Sequence, residues 1–187
     1  NTCEGTEQLR ISLEDNMEIL VCVKQVPDDS VEIALDPKTG APALDGVTPV
    51  VNAFDTYALE MAKRYIEDNG GNVTVATIGD DDATAALRTC LAVGAGKAFL
   101  IKDASFAGSD TTAKAYILSK AVAKIEEING AKFDIVFCGK EATDFSKGMV
   151  GVQLASELGV GVATDVIAVD PAEGAFRLMQ SRPSHCG

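Results

Sequence analysis

At 187 residues with 47% hydrophobic content, the chain is long enough for one well-filled core and short for two independent domains. Its formal net charge of -12, from 28 acids against 16 bases, repels nucleic acid and anionic lipid, and no basic patch offsets it. No apolar run approaches the roughly 18 residues of a membrane span and no basic-then-apolar leader is seen, so a cytoplasmic protein without membrane insertion is expected.

Residues 1–16, NTCEGTEQLRISLEDN, are polar and weakly patterned and read as an N-terminal extension, or as an arm packed on the domain. From Met17 short apolar runs alternate with helical stretches. The predicted strands are Glu18 to Lys24, Asn72 to Gly79, Lys97 to Lys102, Phe133 to Gly139 and Ala163 to Asp170. Between the first two, VPDDSVEIALDPKTGAPALDGVTPVV is rich in proline and glycine, which predicts an irregular excursion with a short hairpin. A helix from Ala53 to Asp68 follows Asn52 as N-cap and stops at Asn69-Gly70-Gly71. A second runs from Ala83 to Val93 and ends at Gly94. A third, capped by Ser109 or Asp110, gathers Ala113, Ile117, Ala121, Ile125 and Ile128 on one face and stops at Asn129-Gly130. Short apolar strands separated by helices imply right-handed crossovers and a sheet covered on both faces. The expected fold class is α/β: a doubly wound, mostly parallel, Rossmann-like sheet.

Five cysteines, Cys3, Cys22, Cys90, Cys138 and Cys186, are too scattered for a CxxC pair or a zinc cluster, and reduced, buried thiols are expected. Cys22 and Cys138 close two apolar strands. His185 is the single histidine, so neither a His-based triad nor a metal site is predicted.

The stretch FDIVFCGKEATDFSKGMVGVQLASELG, from Phe133 to Gly159, runs from an apolar strand through a polar loop into a glycine-rich helix start. At the carboxyl edge of a parallel sheet, a helix beginning near Ser146 would present unpaired amide hydrogens to a phosphate, with Gly148 and Gly151 leaving the approach clear and Lys140 and Lys147 adding charge. The same glycines equally suit close helix-to-sheet packing. Neither GxGxxG nor GxxxxGK[ST] is present. VKQVPD after the first strand, NAFD at the first helix and TIGD after the second strand reach the same edge.

Taken together, ILVCVKQVPD, NAFDTYALEMA, ALRTCLAVGAGKAFLI, FAGSDTTAKA and DIVFCGKEATD, in this order and spacing from Met17 to about Asp170, resemble the beta (small) subunit family of electron transfer flavoproteins. The resemblance implies a Rossmann-like nucleotide-binding domain over residues 17–170 and an alpha subunit partner carrying FAD. It further implies electron transfer from dehydrogenases such as acyl-CoA dehydrogenases, without a catalytic acid, base or nucleophile of its own. It implies either AMP or a second FAD, the latter with NADH as electron source in bifurcating members. Carried over by position, cofactor contacts fall on Cys22, on Asn52, Ala53, Phe54 and Asp55, on Ile78, and on the loop Gly139, Lys140, Glu141, Ala142, Thr143, Asp144, Phe145, Ser146, Lys147, Gly148, Met149 and Val150. Cys22 and Ile78 would contact adenine through backbone.

The chain departs from that family in FSKGMVG, where Phe145 and Lys147 change shape and charge beside the phosphate, and in NAFD, which lacks the usual proline. Residues 171–187, ending AFRLMQSRPSHCG, differ from the usual continuation and are expected to be a truncated or altered tail. Two readings remain beside the electron-transfer subunit: a stand-alone adenine-nucleotide sensor, and an ATP pyrophosphatase, for which no SGGxDS-like loop follows the first strand.

Overall fold

The computed structural model describes residues 16–173 and 175–181. All but the last residue of the expected N-terminal extension, together with Cys3, His185 and Cys186, lies outside them. In chain order the elements are β1 (Glu18–Cys22), β2 (Gln25–Pro27), β3 (Pro49–Val51), α1 (Ala53–Asn69), β4 (Asn72–Ile78), α2 (Thr84–Val93), β5 (Lys97–Ile101), α3 (Thr111–Asn129), β6 (Ile135–Cys138), α4 (Val150–Leu158), β7 (Val166–Ala172) and β8 (Ala175–Gln180).

Burial on both faces decides the centre of the sheet. β1 is EILVC, and its apolar residues are all buried: Ile19 and Val21 face one layer of helices, Leu20 and Cys22 the other. β4 and β6 flank it in parallel, and β5 extends the far side, giving the order β5-β4-β1-β6. α1 and α2 cover the first face with Ala58, Leu59, Ala62, Tyr65, Leu87 and Cys90. α3 and α4 cover the second with Ala115, Leu118, Val122, Ile125 and Leu154. The fold is therefore the doubly wound, mostly parallel α/β sheet expected from the alternation of elements.

Local chemistry fixes the helix ends. The Asp110 side chain accepts the Ala113 amide hydrogen at 2.8 Å, and α3 stops where Gly130 turns left-handed at φ 70°. After α1, Gly71 runs so close to Met17 that a Cβ there would overlap the Met17 carbonyl. The excursion after β1 folds back as expected: β2 pairs antiparallel with β3, and Leu35 bridges Pro42.

Three expectations fail. The face that α3 buries is Ala115, Leu118, Ser119, Val122 and Ile125, because these residues meet the sheet and α4; of the expected face only Ile125 is buried, and Ile128 is exposed. The segment 163–170 does not join the parallel sheet; β7 begins at Val166 and pairs antiparallel with β8. The physical reason is a local partner: the following strand pairs with it as far as Ala172 opposite Ala175, and Phe176 packs its ring 5.9 Å from that of Tyr65 on α1. Part of the expected tail is thus strand, and residue 170 lies within β7. The last helix also opens later than Ser146, at Val150, for reasons that belong to the site.

Candidate functional site

The order β5-β4-β1-β6 reverses its direction of growth between β1 and β6, which lie side by side with Cys22 opposite Cys138. From β1 the chain proceeds to α1 on one face; from β6 it proceeds to α4 on the other. Such a switch point opens a crevice beyond the strand ends, where open α/β sheets bind ligands. Lys24, the start of α1 and the loop 139–149 meet there.

Asn52 occupies the N-cap position of α1 yet does not cap it with its side chain. The amide is used across the crevice instead. Its Nδ2 donates to the Glu141 carbonyl at 2.8 Å, and its Oδ1 accepts the Thr143 amide hydrogen at 3.1 Å. Its own N–H donates to the Lys24 carbonyl at 2.9 Å. A side chain only 1% exposed therefore holds the loop by both ends of its dipole.

Asp55, one turn on, does the same for the strand ends. One carboxylate oxygen accepts the Lys24 amide hydrogen at 2.7 Å, the other that of Gly139 at 3.1 Å. The approach at Gly139 is so close that a Cβ there would overlap the Asp55 carboxylate, which explains the glycine. Burial pushes the Asp55 carboxyl up to about 6, while the hydrogen bonds from Lys24, Asn52 and Gly139 pull the other way and limit the rise.

Beyond Thr143 the loop is exposed. Asp144 is neutralised by the Lys24 ammonium at 2.6 Å, and Lys140 pairs with Asp165 at 3.0 Å. Lys147 lies over the Phe145 ring, 5.3 Å from its centre, and among the described residues has no carboxylate partner. Successive turns, Phe145 N–H to Ala142 and Lys147 N–H to Phe145, keep this stretch out of the helix. Gly148 at φ 59° then reverses the chain into α4. Helix formation before that point is blocked by the left-handed residue, so the expected start at Ser146 moves to Val150.

Met149, in the N-cap position, has no side-chain acceptor for the first amides of α4, and among the described residues no other side chain caps them. Gly151 serves packing: a Cβ would stand 3.1 Å from that of Cys138, so the glycine lets α4 lie down on β6. Of the two readings of these glycines, packing holds for Gly151 and backbone reversal for Gly148.

The structure thus brings Asn52, Asp55, Gly139, Lys140, Glu141, Ala142 and Thr143 together around the ends of β1 and β6. Asp144 to Met149 form an exposed rim, and Val150 opens α4. Ala53 is exposed at the start of α1, and Phe54 is half-buried beside the cleft. Cys22 is buried at the end of β1; Ile78 ends β4 on the far side of β1 from the loop. Sequence reasoning missed Asp165, as well as the pairing of Lys24 with Asp144 across 120 residues. No linear pattern signals either. A cleft of about 2260 Å³ runs from Gly139 along the outer edge of β6, between α1, α4 and the β7–β8 hairpin. Among the described residues no helix is long and apolar enough to cross a membrane, and no group of three or more His, Cys, Asp or Glu could hold a metal.

Comparison with known proteins shows the family. The family model for the electron transfer flavoprotein domain matches residues 43–187. The chain is 44% identical over 154 residues to the electron transfer flavoprotein subunit beta of Thermoanaerobacterium thermosaccharolyticum, covering 82% of this chain and 56% of that one. It is 43% identical over 164 residues to protein FixA of Azorhizobium caulinodans, covering 88% and 58%. It is 40% identical over 151 residues to the caffeyl-CoA reductase-Etf complex subunit CarD of Acetobacterium woodii, covering 80% and 55%. The chain spans about half the length of the curated relatives it matches. The family match across most of the chain, on a doubly wound sheet, establishes that it belongs to the electron transfer flavoprotein family, with beta subunits and FixA among its relatives.

Proposed function

We propose that the chain acts as the beta-type subunit of an electron transfer flavoprotein, holding an adenine nucleotide in the crevice between β1 and β6. That nucleotide is AMP or FAD. Its partner is an FAD-bearing alpha subunit, and the pair takes electrons from dehydrogenases such as acyl-CoA dehydrogenases. The relatives' names support the subunit role. One of them is by name a subunit of a caffeyl-CoA reductase complex, which fits electron exchange with CoA-ester enzymes.

The single observation that carries the nucleotide is the start of α4: first-turn amides without a side-chain cap, next to Lys147, which has no carboxylate partner among the described residues. Such a corner favours an anion, through oriented N–H groups and the helix dipole. The Asp144 carboxylate in this loop is already paired with Lys24. The residues therefore fit a phosphate. Asn52 and Asp55 would not hold the ligand directly; they fix the loop that does, so the pocket is organised before anything enters it. Bound FAD would supply one- and two-electron redox chemistry, whereas AMP would be structural. The residues' own part is to bind, orient and exclude water.

The test is to denature the purified chain and identify what it releases by absorbance and mass spectrometry. A yellow release is FAD, and a colourless adenine spectrum is AMP. Lys147→Glu should weaken retention roughly 10- to 100-fold by replacing a charge-assisted contact with repulsion, without altering far-ultraviolet circular dichroism. Undiminished retention in the variant would refute the phosphate placement. Gly148→Glu is a poorer probe, because φ 59° makes any side chain there strain the backbone. ATP binding by the chain alone, with no flavin-bearing partner copurifying, would instead favour the sensor reading.

A further inference from the structure

We infer that Cys22 and Cys138 form a modification site: a dithiol that a hydroperoxide closes into a disulfide between neighbouring strands. The two residues end β1 and β6 and are direct partners in the parallel register. Both side chains point to the same face, into the layer formed with α3 and α4. Neighbouring strands lie about 4.8 Å apart, inside the roughly 4.4–6.8 Å between Cα atoms that a disulfide spans. Both cysteines are free, and the neighbouring Cys138 thiol, with burial adding to the effect, pushes the Cys22 thiol well above its ordinary value.

Access decides the order of events. Cys22 is 8% exposed, whereas Cys138 keeps partial exposure under the first turn of α4. The residue above it is Gly151, whose absent Cβ would stand 3.6 Å from the Cys138 sulfur, so no side chain of that residue shields the thiol. Cys138 is therefore the thiol that meets the oxidant. Its thiolate attacks the peroxide, the O–O bond breaks, and Cys138 becomes a sulfenic acid as the peroxide oxygen beyond leaves as hydroxide or alkoxide. Cys22 then displaces water from that sulfenic sulfur, and the S–S bond forms. Two thiols have lost two electrons and the peroxide has gained them. A reducing thiol reverses the change.

Cys90 supplies the internal comparison. It is buried on the opposite face, against α1 and β4, with burial pushing its thiol up to about 11. The disulfide would tie the same two strand ends that Asp55 bridges by hydrogen bonds. It does not depend on any nucleotide being bound.

The experiment exposes the full chain to hydrogen peroxide, blocks remaining thiols with a maleimide after denaturation, and maps peptides by mass spectrometry. The expected result is a linked pair of peptides carrying Cys22 and Cys138, with two fewer blocked thiols, lost again after dithiothreitol. In Cys22→Ser the linked pair should vanish, and Cys138 should instead be trapped by dimedone as a stable sulfenic acid. In the natural chain, dimedone-labelled or over-oxidised Cys138 with Cys22 still free would overturn the inference. So would linkage of either residue to another cysteine, or resistance of both to peroxide. The natural chain alone decides these outcomes even if the variant does not fold.

Discussion

At Asp55 a single buried carboxylate accepts amide hydrogens from two strands, Lys24 after β1 and Gly139 after β6, so its charge state bears on the geometry of the whole crevice. Its neighbours include Lys24, which favours the ionised form, and the thiols of Cys22 and Cys90, which its charge pushes up. Burial outweighs the hydrogen bonds, and the carboxyl titrates at about 6 in place of 3.8. The sign follows from linkage: the folded chain holds this proton more tightly than the unfolded one. The contribution is therefore fully present below about 3.8 and is lost as pH rises through about 6. A shift of this size is worth on the order of 3 kcal/mol. Asp55→Asn keeps the shape but cannot titrate, and its NH2 must face one of the two amide hydrogens. Urea unfolding of both proteins from pH 4 to 7 should show wild type losing stability relative to the variant as pH rises. Parallel curves would show that Asp55 does not carry the proton. None of this was legible in the sequence, where Asn52 and Asp55 read as a helix start and as ligand contacts; that their side chains secure the loop depends on residues about 90 positions away.

Elements whose signals are local were read correctly. α1 and α3 end at their own glycine stops, although the stripe that α3 buries runs through Ala115, Leu118, Val122 and Ile125 and not through the expected Ala113, Ile117, Ala121 and Ile128; β1 and β4 are apolar enough to be buried on both faces. Errors arose where a choice between partners decides. The segment after α4 has the composition of a sheet strand, but its pairing went to the following residues and formed the β7–β8 hairpin. α4 starts late because of Gly148, whose left-handed φ is not encoded by glycine content alone. The hairpin is held to the body by the Tyr65–Phe176 contact and by the exposed Lys140–Asp165 pair, and of the two the aromatic contact should dominate. Phe176→Ala should cost about 1–2 kcal/mol locally, from the lost ring contact and partial burial. Hydrogen exchange at β7 and β8 should then quicken roughly tenfold while β1 and β4 keep their protection. Equal loss of protection in all four strands would mean that the hairpin is part of the main cooperative unit.

For the molecule as a whole, two features pull in opposite directions. The sheet ends at β6, and among the described residues nothing pairs with its outer edge. The cleft along that edge is bordered by exposed Val152, Val160, Val162 and Ile167. An open edge beside apolar side chains invites association. Opposing it is the net charge of -12, which makes copies repel one another. Repulsion between surface charges reaches about 10 Å at 0.1 M salt but only about 3 Å at 1 M, whereas apolar contact is not screened. Light scattering on the isolated chain should therefore find monomer in dilute buffer and growing dimer or higher species as sodium chloride rises toward about 1 M. Replacing Val160 and Val162 with lysine should remove that rise by taking away the apolar contact that salt does not screen. Association that weakens with salt would reverse the balance, showing ion pairs to be the contact and the apolar border of β6 to be incidental.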